Sequence, residues 1–169
     1  SASLVGSEMC IRDSYSTVSN RVFLHLKKFD DVKRATMNEE KGTRDWVCFR
    51  AAEAYLLAGE AYYRAGDVDN ALKYINTLRR NCAIEGKEKE MEISASDLSV
   101  DFILDERARE LCGEGKRWYD LKRLGKLIER TDLHNKKAHG NMKPFHELRP
   151  IPQSQIDRCT NVYPQNPQW

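Results

Sequence analysis

The sequence has no long hydrophobic run and none of the short loops that mark common enzyme sites. No apolar stretch approaches the roughly 20 residues that cross a bilayer, so no transmembrane helix is predicted. The absence of Gly-x-x-x-x-Gly-Lys and of Gly-x-Ser-x-Gly removes the usual signatures of phosphate loops and of α/β hydrolases. A basic segment followed by an apolar one, which a secretory signal needs, is also missing.

Neither sign of charge is in excess. The chain has 28 basic and 26 acidic residues, a formal net charge of +2, and the two signs are well mixed along it. A nucleic-acid binder is expected to show a basic stripe or a strongly positive domain. The balance therefore predicts no nucleic-acid partner.

The cysteines are widely scattered and lack the spacing of a metal or redox site. The five cysteines form no Cys-x-x-Cys pair, and their odd number argues against a dense disulfide framework. We therefore expect no zinc or redox site and no cofactor. Cys48, Cys82 and Cys112 are predicted to be small buried hydrophobic residues on apolar helix faces.

The first 14 residues show neither the pattern of a secondary-structure element nor that of a targeting signal. Cys10 follows Ser7-Glu8-Met9, which lacks the small, apolar context of a lipoprotein cysteine. Residues 4–14 resemble the translation of sequencing-adapter DNA. We predict that residues 1–14 are foreign and that the natural protein continues upstream; a genuine disordered N-terminus is the alternative.

Residues 15–44 give only weak signals. The run YSTVSNRVFLHLKKF (15–29) alternates loosely and predicts an extended segment or a short strand, with His25 at or near the surface. Residues 30–44 are polar, contain Gly42 and are predicted to be a loop.

Residues 45–82 predict a helical hairpin. Apolar residues keep helical spacing from Trp46 to Tyr63, with Asp45 as the predicted N-cap of a helix that runs to about Ala65. The run GEAYYRAGDVDNA (59–71) fits the tetratricopeptide pattern. Such repeats bind peptides when several form a groove, but one repeat forms none, so we interpret the aromatic side chains as core.

A second helical region spans residues 96–133. Its first helix carries apolar residues from Val100 to Cys112 and is predicted to be capped by Ser96 or Asp97. A glycine pair at 113 and 115 marks a turn, and a second helix with Trp118, Leu121, Leu124 and Ile128 on its inner side follows. Gly125 within it suggests close approach of a neighbouring backbone.

The many charges here allow two interpretations. Glu106, Glu110 and Glu114 recur every four residues among arginines and lysines. On a solvated face they are ordinary helix ion pairs; buried, they would fix the geometry between helices. A catalytic pair needs one desolvated carboxylate beside a cleft, and nothing in the sequence indicates one.

Two motifs in order resemble the SusD/RagB family of outer-membrane nutrient-binding lipoproteins. The first is DERAREL (105–111), GE (113–114) and RWYDLKRLG (117–125); the second is LRPIPQSQID (148–157) followed by PQNP (164–167). The resemblance covers roughly residues 29–169. It implies an all-α, mostly helical fold: a tetratricopeptide-like hairpin, further helices and an extended proline-rich tail, with residues 15–169 the C-terminal part of a longer helical domain.

The resemblance also implies a function. The complete protein would be a surface-exposed lipoprotein of the cell outer membrane, held by an N-terminal lipid anchor that this chain lacks. It would capture oligosaccharides, or in some members peptides, and pass them to a SusC-like TonB-dependent transporter. A cytosolic tetratricopeptide scaffold is the alternative function, and an enzyme is not expected.

The tail, residues 136–169, contains all five prolines and is predicted to lie extended over the body, with one helical turn at residues 153–158. Its expected anchors are Phe145, Leu148, Ile151, Ile156, Tyr163 and Trp169. Family members usually end in Gln-Asn-Pro-Gly, whereas this chain has Gln168 in place of that glycine, which puts a left-handed backbone there in doubt.

The sequence offers histidines and tryptophans as candidate site residues, but none fits a known site pattern. His134, His139 and His146, with Glu147 adjacent, match no metal-binding helix motif, so no metal site is predicted. Trp46, Trp118 and Trp169 are candidates for stacking on sugar rings, but two lie at predicted core positions. No catalytic, metal or cofactor residue is assigned, and the ligand-binding residues are unknown.

Overall fold

The computed structural model describes residues 27–29, 31, 33, 34, 36 and 41–169. It consists of two units, residues 1–46 and 47–169, which are described separately. The predicted foreign segment 1–14 and His25 lie outside the described residues, so both predictions remain open.

In the first unit, the described contacts include a hydrogen-bonded turn around Asp31. The carboxylate of Asp31 accepts hydrogen bonds from the backbone N–H of Thr43 at 2.5 Å and of Lys33 at 3.1 Å, and the Thr43 bond in particular lowers the pKa of Asp31. Lys27–Phe29 is a 3-10 helix. The extended segment predicted for 15–29 is therefore wrong at its described end, where three residues make a helical turn.

The second unit opens with the predicted hairpin. Helix α1 is Ala51–Arg64 and helix α2 is Val68–Asn81. Gly66 turns the chain with φ +83°, and the Asp67 side chain caps α2 by accepting from the N–H of Asn70 at 3.1 Å. The prediction that α1 starts at Asp45 is wrong, because Arg50 is extended at φ −143° and residues 45–50 lie outside the helix.

Three further helices follow a short 3-10 helix, Glu88–Met91: α3 is Val100–Glu110, α4 is Arg117–Arg123 and α5 is Leu127–His134. Ser99 caps α3 by accepting from the N–H of Phe102 at 3.0 Å, so the predicted caps Ser96 and Asp97 are wrong. Gly125, at φ +66°, splits the predicted single helix into α4 and α5. A Cβ there would meet nothing within 4 Å, so the glycine serves a left-handed turn and not a close approach.

The core of this unit consists of three apolar clusters. One joins α1, α2 and the end of α3, the second joins α2 to α3, and the third joins α3 to α4 and α5. Their largest fully buried side chains are Leu56, Ile75, Ile103, Leu104 and Leu127. Helix α3, together with its C-cap residue Leu111, contributes to all three clusters and is the central helix of the unit.

The tail packs through a few specific contacts. It contains a 3-10 helix, Pro144–Glu147, and one turn of helix, α6, Gln153–Ile156. The side-chain amide of Gln165 donates to the Ile151 carbonyl and accepts from the Ile151 N–H, both at 2.8 Å, and the Trp169 indole donates to the Leu148 carbonyl at 2.8 Å. Gln168 has φ +71°, so the left-handed backbone is present without the glycine.

The tail anchors are only partly buried. Phe145, Ile151 and Ile156 are half-buried, whereas Leu148, Tyr163 and Trp169 are exposed. The prediction of six apolar anchors is therefore correct for three of them. Leu148 and Trp169 are joined by the hydrogen bond from the Trp169 indole to the Leu148 carbonyl.

The cysteine prediction is wrong. Cys48, Cys82 and Cys112 are all exposed, because each lies just outside a helix: before α1, after α2 and after α3. Partial burial of the sulfur, together with the carboxylate of Glu110, raises the pKa of the Cys82 thiol even though the residue as a whole is exposed. The apolar spacing continues beyond the ends of the helices, and for that reason the sequence wrongly predicted all three cysteines to be buried.

The all-α prediction is confirmed for the residues described, which contain helices and no strand. None of the described helices is both long and apolar enough to cross a membrane.

Gly59 sets how closely α1 and α2 pack. A Cβ at Gly59 would lie 2.7 Å from Cγ1 of Ile75, a fully buried side chain. We predict that Gly59→Ala destabilises the chain by about 1–3 kcal/mol through overpacking, although alanine is normally the better helix former. Urea unfolding monitored by circular dichroism measures this.

A double-mutant cycle with Ile75→Ala is the control for that clash. Removing the Ile75 side chain should cancel most of the cost of Gly59→Ala, so the two changes should be strongly non-additive. Additive effects would show that Gly59 does not limit the packing of the two helices.

Candidate functional site: a buried charge network and the surface around it

A network of ion pairs lies where α1, α3 and α4 meet. Its centre is Arg107 on α3, which is only 2% exposed. Arg107 Nη2 lies 2.8 Å from Asp120 Oδ1 on α4 and 3.7 Å from Glu53 Oε1 on α1. Lys116 Nζ lies 3.1 Å from the other Glu53 oxygen. One desolvated cation thus contacts carboxylates from two other helices.

The centre is not fully hydrogen bonded. Nε and Nη1 of Arg107 and Oε2 of Glu53 are buried and have no hydrogen-bond partner among the described residues. The pair of Lys116 with Glu53 is thus an ion pair by distance, without the directional geometry of a hydrogen bond. Electrostatic attraction, and not a full set of hydrogen bonds, therefore stabilises this centre.

A second pair extends the network along α1. Arg123 donates to the two Glu60 oxygens at 2.5 and 2.8 Å, and Arg64 Nε lies 3.1 Å from Glu60 Oε1. Burial alone would raise the pKa of Glu60, but the Arg123 hydrogen bonds and the charges of Arg123, Arg64 and Arg107 outweigh it and lower that pKa. Its hydrogen bonds to Glu60 in turn raise the pKa of Arg123.

The start of α1 is held by Arg50. Its Nε donates to the Glu114 oxygens at 2.9 and 3.1 Å, and Nη2 donates to the Glu110 carbonyl at 2.6 Å. The hydrogen bond to Glu114 is the main reason that the pKa of Arg50 is raised. This contact joins the residue before α1 to the glycine turn after α3.

Two arginines join α3 to the following helices. Arg130 on α5 lies 3.1 Å from Asp101 and 3.0 Å from Asp105, both on α3. Arg117 on α4 donates to the Leu104 carbonyl at 2.7 Å. Burial lowers the pKa of Arg117, and the nearby charge of Arg130 adds to that effect.

The structure decides between the two interpretations of these charges. Glu106, Arg107, Glu114 and Asp120 are buried, whereas Arg109 and Arg123 are exposed. Most of the motif charges are therefore interhelical pairs rather than a solvated face. The sequence analysis did not predict that Glu53 and Glu60 are buried. Their spacing could have indicated it, because they lie seven residues apart on the same helix side as the apolar Leu56.

This arrangement is poorly suited to acid–base catalysis. A general acid at neutral pH needs a raised carboxyl pKa, whereas the pKa of Glu60 is lowered by its arginines. Glu53, Glu60, Glu106, Glu114 and Asp120 each have a basic partner within ion-pair distance. The network is therefore suited to holding the helices in place relative to one another.

Trp118 lines a cavity of about 390 Å³ between α3 and α4, together with Arg107 and Leu111. The Arg149 guanidinium of the tail lies 4.5 Å from the Trp118 ring centroid. This cation–π contact occupies the ring and ties the tail to α4. Trp118 is half-buried, as predicted for an inner helix position, and Arg149 covers one face of its ring.

The other two tryptophans differ from expectation. Trp46 is 67% exposed and precedes α1, so its predicted core position is wrong; its ring stacks on Phe29 at 5.7 Å. Trp169 packs edge-on against Phe145 at 5.3 Å and is 46% exposed. The three tryptophans therefore contact different partners, and none shares a ring contact with another.

The histidines have separate partners. His134 Nε2 lies 3.2 Å from Arg130 Nη1, His139 Nδ1 lies 3.2 Å from Asp132 Oδ2, and His146 Nδ1 accepts from the Lys143 N–H at 2.8 Å. Within the described part of the chain, no three metal-ligating side chains lie together.

The model of the SusD family matches residues 12–169, a longer stretch than the two motifs indicated. This chain belongs to the SusD family. No solved structure matches the chain significantly.

Individual relatives carry the same family name. SusD-like protein P25 of Formosa agariphila is 34% identical over 113 residues, which is 65% of this chain and 21% of the relative. SusD-like protein P2 of the same organism is 30% identical over 136 residues, 77% of this chain and 27% of the relative. The starch-binding protein SusD of Bacteroides thetaiotaomicron is 33% identical over 122 residues, 70% of this chain and 20% of that protein. This SusD family chain thus spans about a fifth to a quarter of the length of these relatives.

Removing the central cation should unfold much of the unit. We predict that Arg107→Leu destabilises the chain by about 3–5 kcal/mol, because Asp120 and Glu53 are left buried without it. Urea unfolding gives the free energy.

The matched control is Arg109→Leu, two residues further along α3, where the side chain is 55% exposed in its pair with Glu106. An exposed pair is worth about 1 kcal/mol or less, so this change should have a small effect. Equal costs for the two variants would show that burial does not set the strength of the network.

The lowered pKa of Glu60 predicts acid sensitivity. Its folded value lies below the ordinary 4.5, so its pairing stabilises the fold above that pH and is lost as pH falls through the folded value. We expect Glu60→Gln to destabilise the chain at pH 7 but to differ little from the parent at about pH 2. Urea midpoints across this range measure the difference.

Glu129→Gln is the control for that titration, since Glu129 pairs with Lys126 on the surface with its side chain 59% exposed. Its unfolding midpoint should follow the parent at every pH. A constant offset between Glu60→Gln and the parent at all pH values would contradict the ion-pair account.

Proposed function

We propose that this chain is the C-terminal portion of a nutrient-binding lipoprotein of the outer membrane. The complete protein captures oligosaccharides at the cell surface and hands them to a SusC-like TonB-dependent transporter. The observation that carries the proposal is membership of the SusD family over residues 12–169. The relative named as starch-binding, SusD of Bacteroides thetaiotaomicron, supports a glycan as the ligand.

Binding without bond cleavage fits the chemistry of the described residues. The buried carboxylates are paired with arginine or lysine, and Glu60 is held ionised. Such groups fix helices and are poor proton donors. The charge network therefore supports a scaffold role for this region, on which a ligand site made by other segments depends.

The ligand contacts of the complete protein are proposed to lie mostly outside this chain. Ligand sites are concave and are assembled from several elements. Here Arg149 covers one face of the Trp118 ring, and Trp169 donates its indole N–H to the Leu148 carbonyl. The chain also corresponds to only 20% of the starch-binding relative.

The alternative, a cytosolic tetratricopeptide scaffold, has less support. One hairpin, α1–α2, follows the repeat pattern, and a peptide groove needs several repeats. The tail contacts of Arg149 with Trp118 and of Gln165 with Ile151 have no part in such a scaffold.

The test uses the product of the complete gene. We expect isothermal titration with starch oligosaccharides, followed by a panel of other plant and algal oligosaccharides, to show binding by the complete protein. The chain of residues 1–169 alone should bind weakly or not at all. Chromatography of the incubated sugars should show no shortened products.

Two results would contradict the proposal, and a third would change its ligand. Release of shorter sugars would indicate an enzyme. A complete reading frame without a signal peptide and lipobox cysteine would favour the cytosolic scaffold. Binding of peptides but no glycan would keep the uptake role and change the ligand class.

A further inference from the structure

Arg117, at the start of α4, differs from the neighbouring arginines of the same motif. Arg107 and Arg123 form ion pairs with carboxylates of other elements. Arg117 has no carboxylate within ion-pair distance among the residues that the structure describes, and its one hydrogen bond there runs from Nη1 to the Leu104 carbonyl. The side chain is nevertheless half-buried. A guanidinium that is partly desolvated without an anionic partner leaves a positive charge uncompensated.

The nitrogens of Arg117 that lack a partner are the ones suited to an oxyanion. Nε and Nη2 donate no hydrogen bond to the described residues, and neither of these atoms is fully buried. The N–H groups on this edge of a guanidinium form a fork that binds two oxygens of one carboxylate, sulfate or phosphate group. Arg117 therefore offers a donor pair for such a group.

Arg117 lines a cavity of about 410 Å³ between α3, α4 and α5. Ligand sites have volumes of about 300–1,000 Å³, so this cavity suits a small molecule or one unit of a larger one. Its other hydrogen-bonding side chains include Arg130, Thr131, His134 and Asn135. Within the described part of the chain, the Thr131 hydroxyl and the Asn135 amide N–H groups donate to no other residue. Several donors with spare capacity thus share one small cavity.

The wall of this cavity carries more positive than negative charge. Arg117 and Arg130 both line it, and Asp105 is the one carboxylate among its lining residues. Asp105 is already paired with Arg130 at 3.0 Å. Burial and the charge of Arg130 lower the pKa of Arg117, and the carboxylates of Asp105 and Asp120 offset only part of that effect. An anion beside Arg117 would relieve the repulsion between the two guanidinium groups.

We propose that this cavity is a binding site for one oxyanion of a small ligand, held by the Nε–Nη2 fork of Arg117 with Thr131 and Asn135 as further donors. The charged group is a carboxylate, sulfate or phosphate. It has two possible sources: an acidic sugar unit of a glycan, or a free inorganic anion. The acidic-sugar source rests on the proposed function, whereas the oxyanion site itself does not.

The test follows the NMR signal of the Arg117 Nε–H group. Glucuronate, inorganic phosphate or neutral glucose is added to the chain of residues 1–169 and to the complete protein. Ionic strength is kept low and constant, because salt screens exposed charges. We expect a saturable shift with glucuronate, with phosphate or with both, and none with glucose. The absence of a saturable shift with either anion would overturn the proposal.

Variants show whether the fork itself binds the anion. Arg117→Lys keeps the positive charge but lacks the fork, so it should weaken binding by about tenfold. Thr131→Val keeps the shape but removes the hydroxyl, and should weaken binding by about threefold. Backbone amide signals of residues 131 and 135 give the dissociation constants. Binding that is unchanged in folded Arg117→Lys would overturn the site, and the parent Arg117 signal tests the contact even if that variant does not fold.

A matched pair of variants separates the site from general attraction by charge. Arg117→Gln and Arg158→Gln each remove one arginine that has no carboxylate partner among the described residues, but Arg158 is exposed in the tail and lies outside the cavity. Only Arg117→Gln should weaken binding, by tenfold or more on the order of a charged hydrogen-bonded pair. Equal weakening by the two variants would overturn the proposal.

Relative affinity separates the two sources of the anion. Tighter binding of glucuronate than of phosphate supports an acidic sugar, and the reverse order supports a free inorganic anion. Glycan titration of the complete parent protein is run alongside. If that titration fails while the Arg117 shift persists, the proposed function alone is overturned. Glycan binding without any anion-dependent shift would overturn the oxyanion site alone.

Discussion

The contact of Arg107 with Asp120 and Glu53 is the constraint on which the second unit depends. It brings one cation of α3 against carboxylates of α4 and α1, in a place where water does not screen them. An isolated ion there would be very costly, so each of the three helices is needed for the other two to be charged and buried. The apolar clusters on either side supply burial energy, but they do not specify direction in the same way.

The surrounding ion pairs also join one helix to another. Arg50 holds the entry to α1 against Glu114, and Arg130 holds α5 against Asp101 and Asp105. Several partners belong to the run that begins at Asp105 and ends at Gly125, which was also the basis of the family resemblance. The residues that identify the family are thus, in this chain, largely those that fix its helices to one another. A ligand site built elsewhere in the protein would depend on that fixed frame.

Local patterns predicted the elements well and their ends poorly. The hairpin followed from Gly66-Asp67, whose turn and cap act within a few residues, and from the tetratricopeptide spacing of the small residues Gly59 and Ala71. The start of α1 did not follow, because apolar spacing continues through Trp46 and Phe49 while the backbone at Arg50 is extended. The burial of Glu53 was equally beyond a local pattern, since its partner Arg107 is supplied by tertiary packing. Ligand residues could not be predicted because no local pattern in the sequence brings them together.

The separation of ion partners along the chain also bears on the order of folding. Helices α1 and α2 meet across a turn of three residues, whereas 63 residues separate Glu60 from Arg123. Contacts between distant residues must first close a long loop, so they form later than contacts between neighbours. The hairpin is therefore expected to form early and the charge network late. Weakening the network by acid should then speed unfolding and leave the rate of folding almost unchanged.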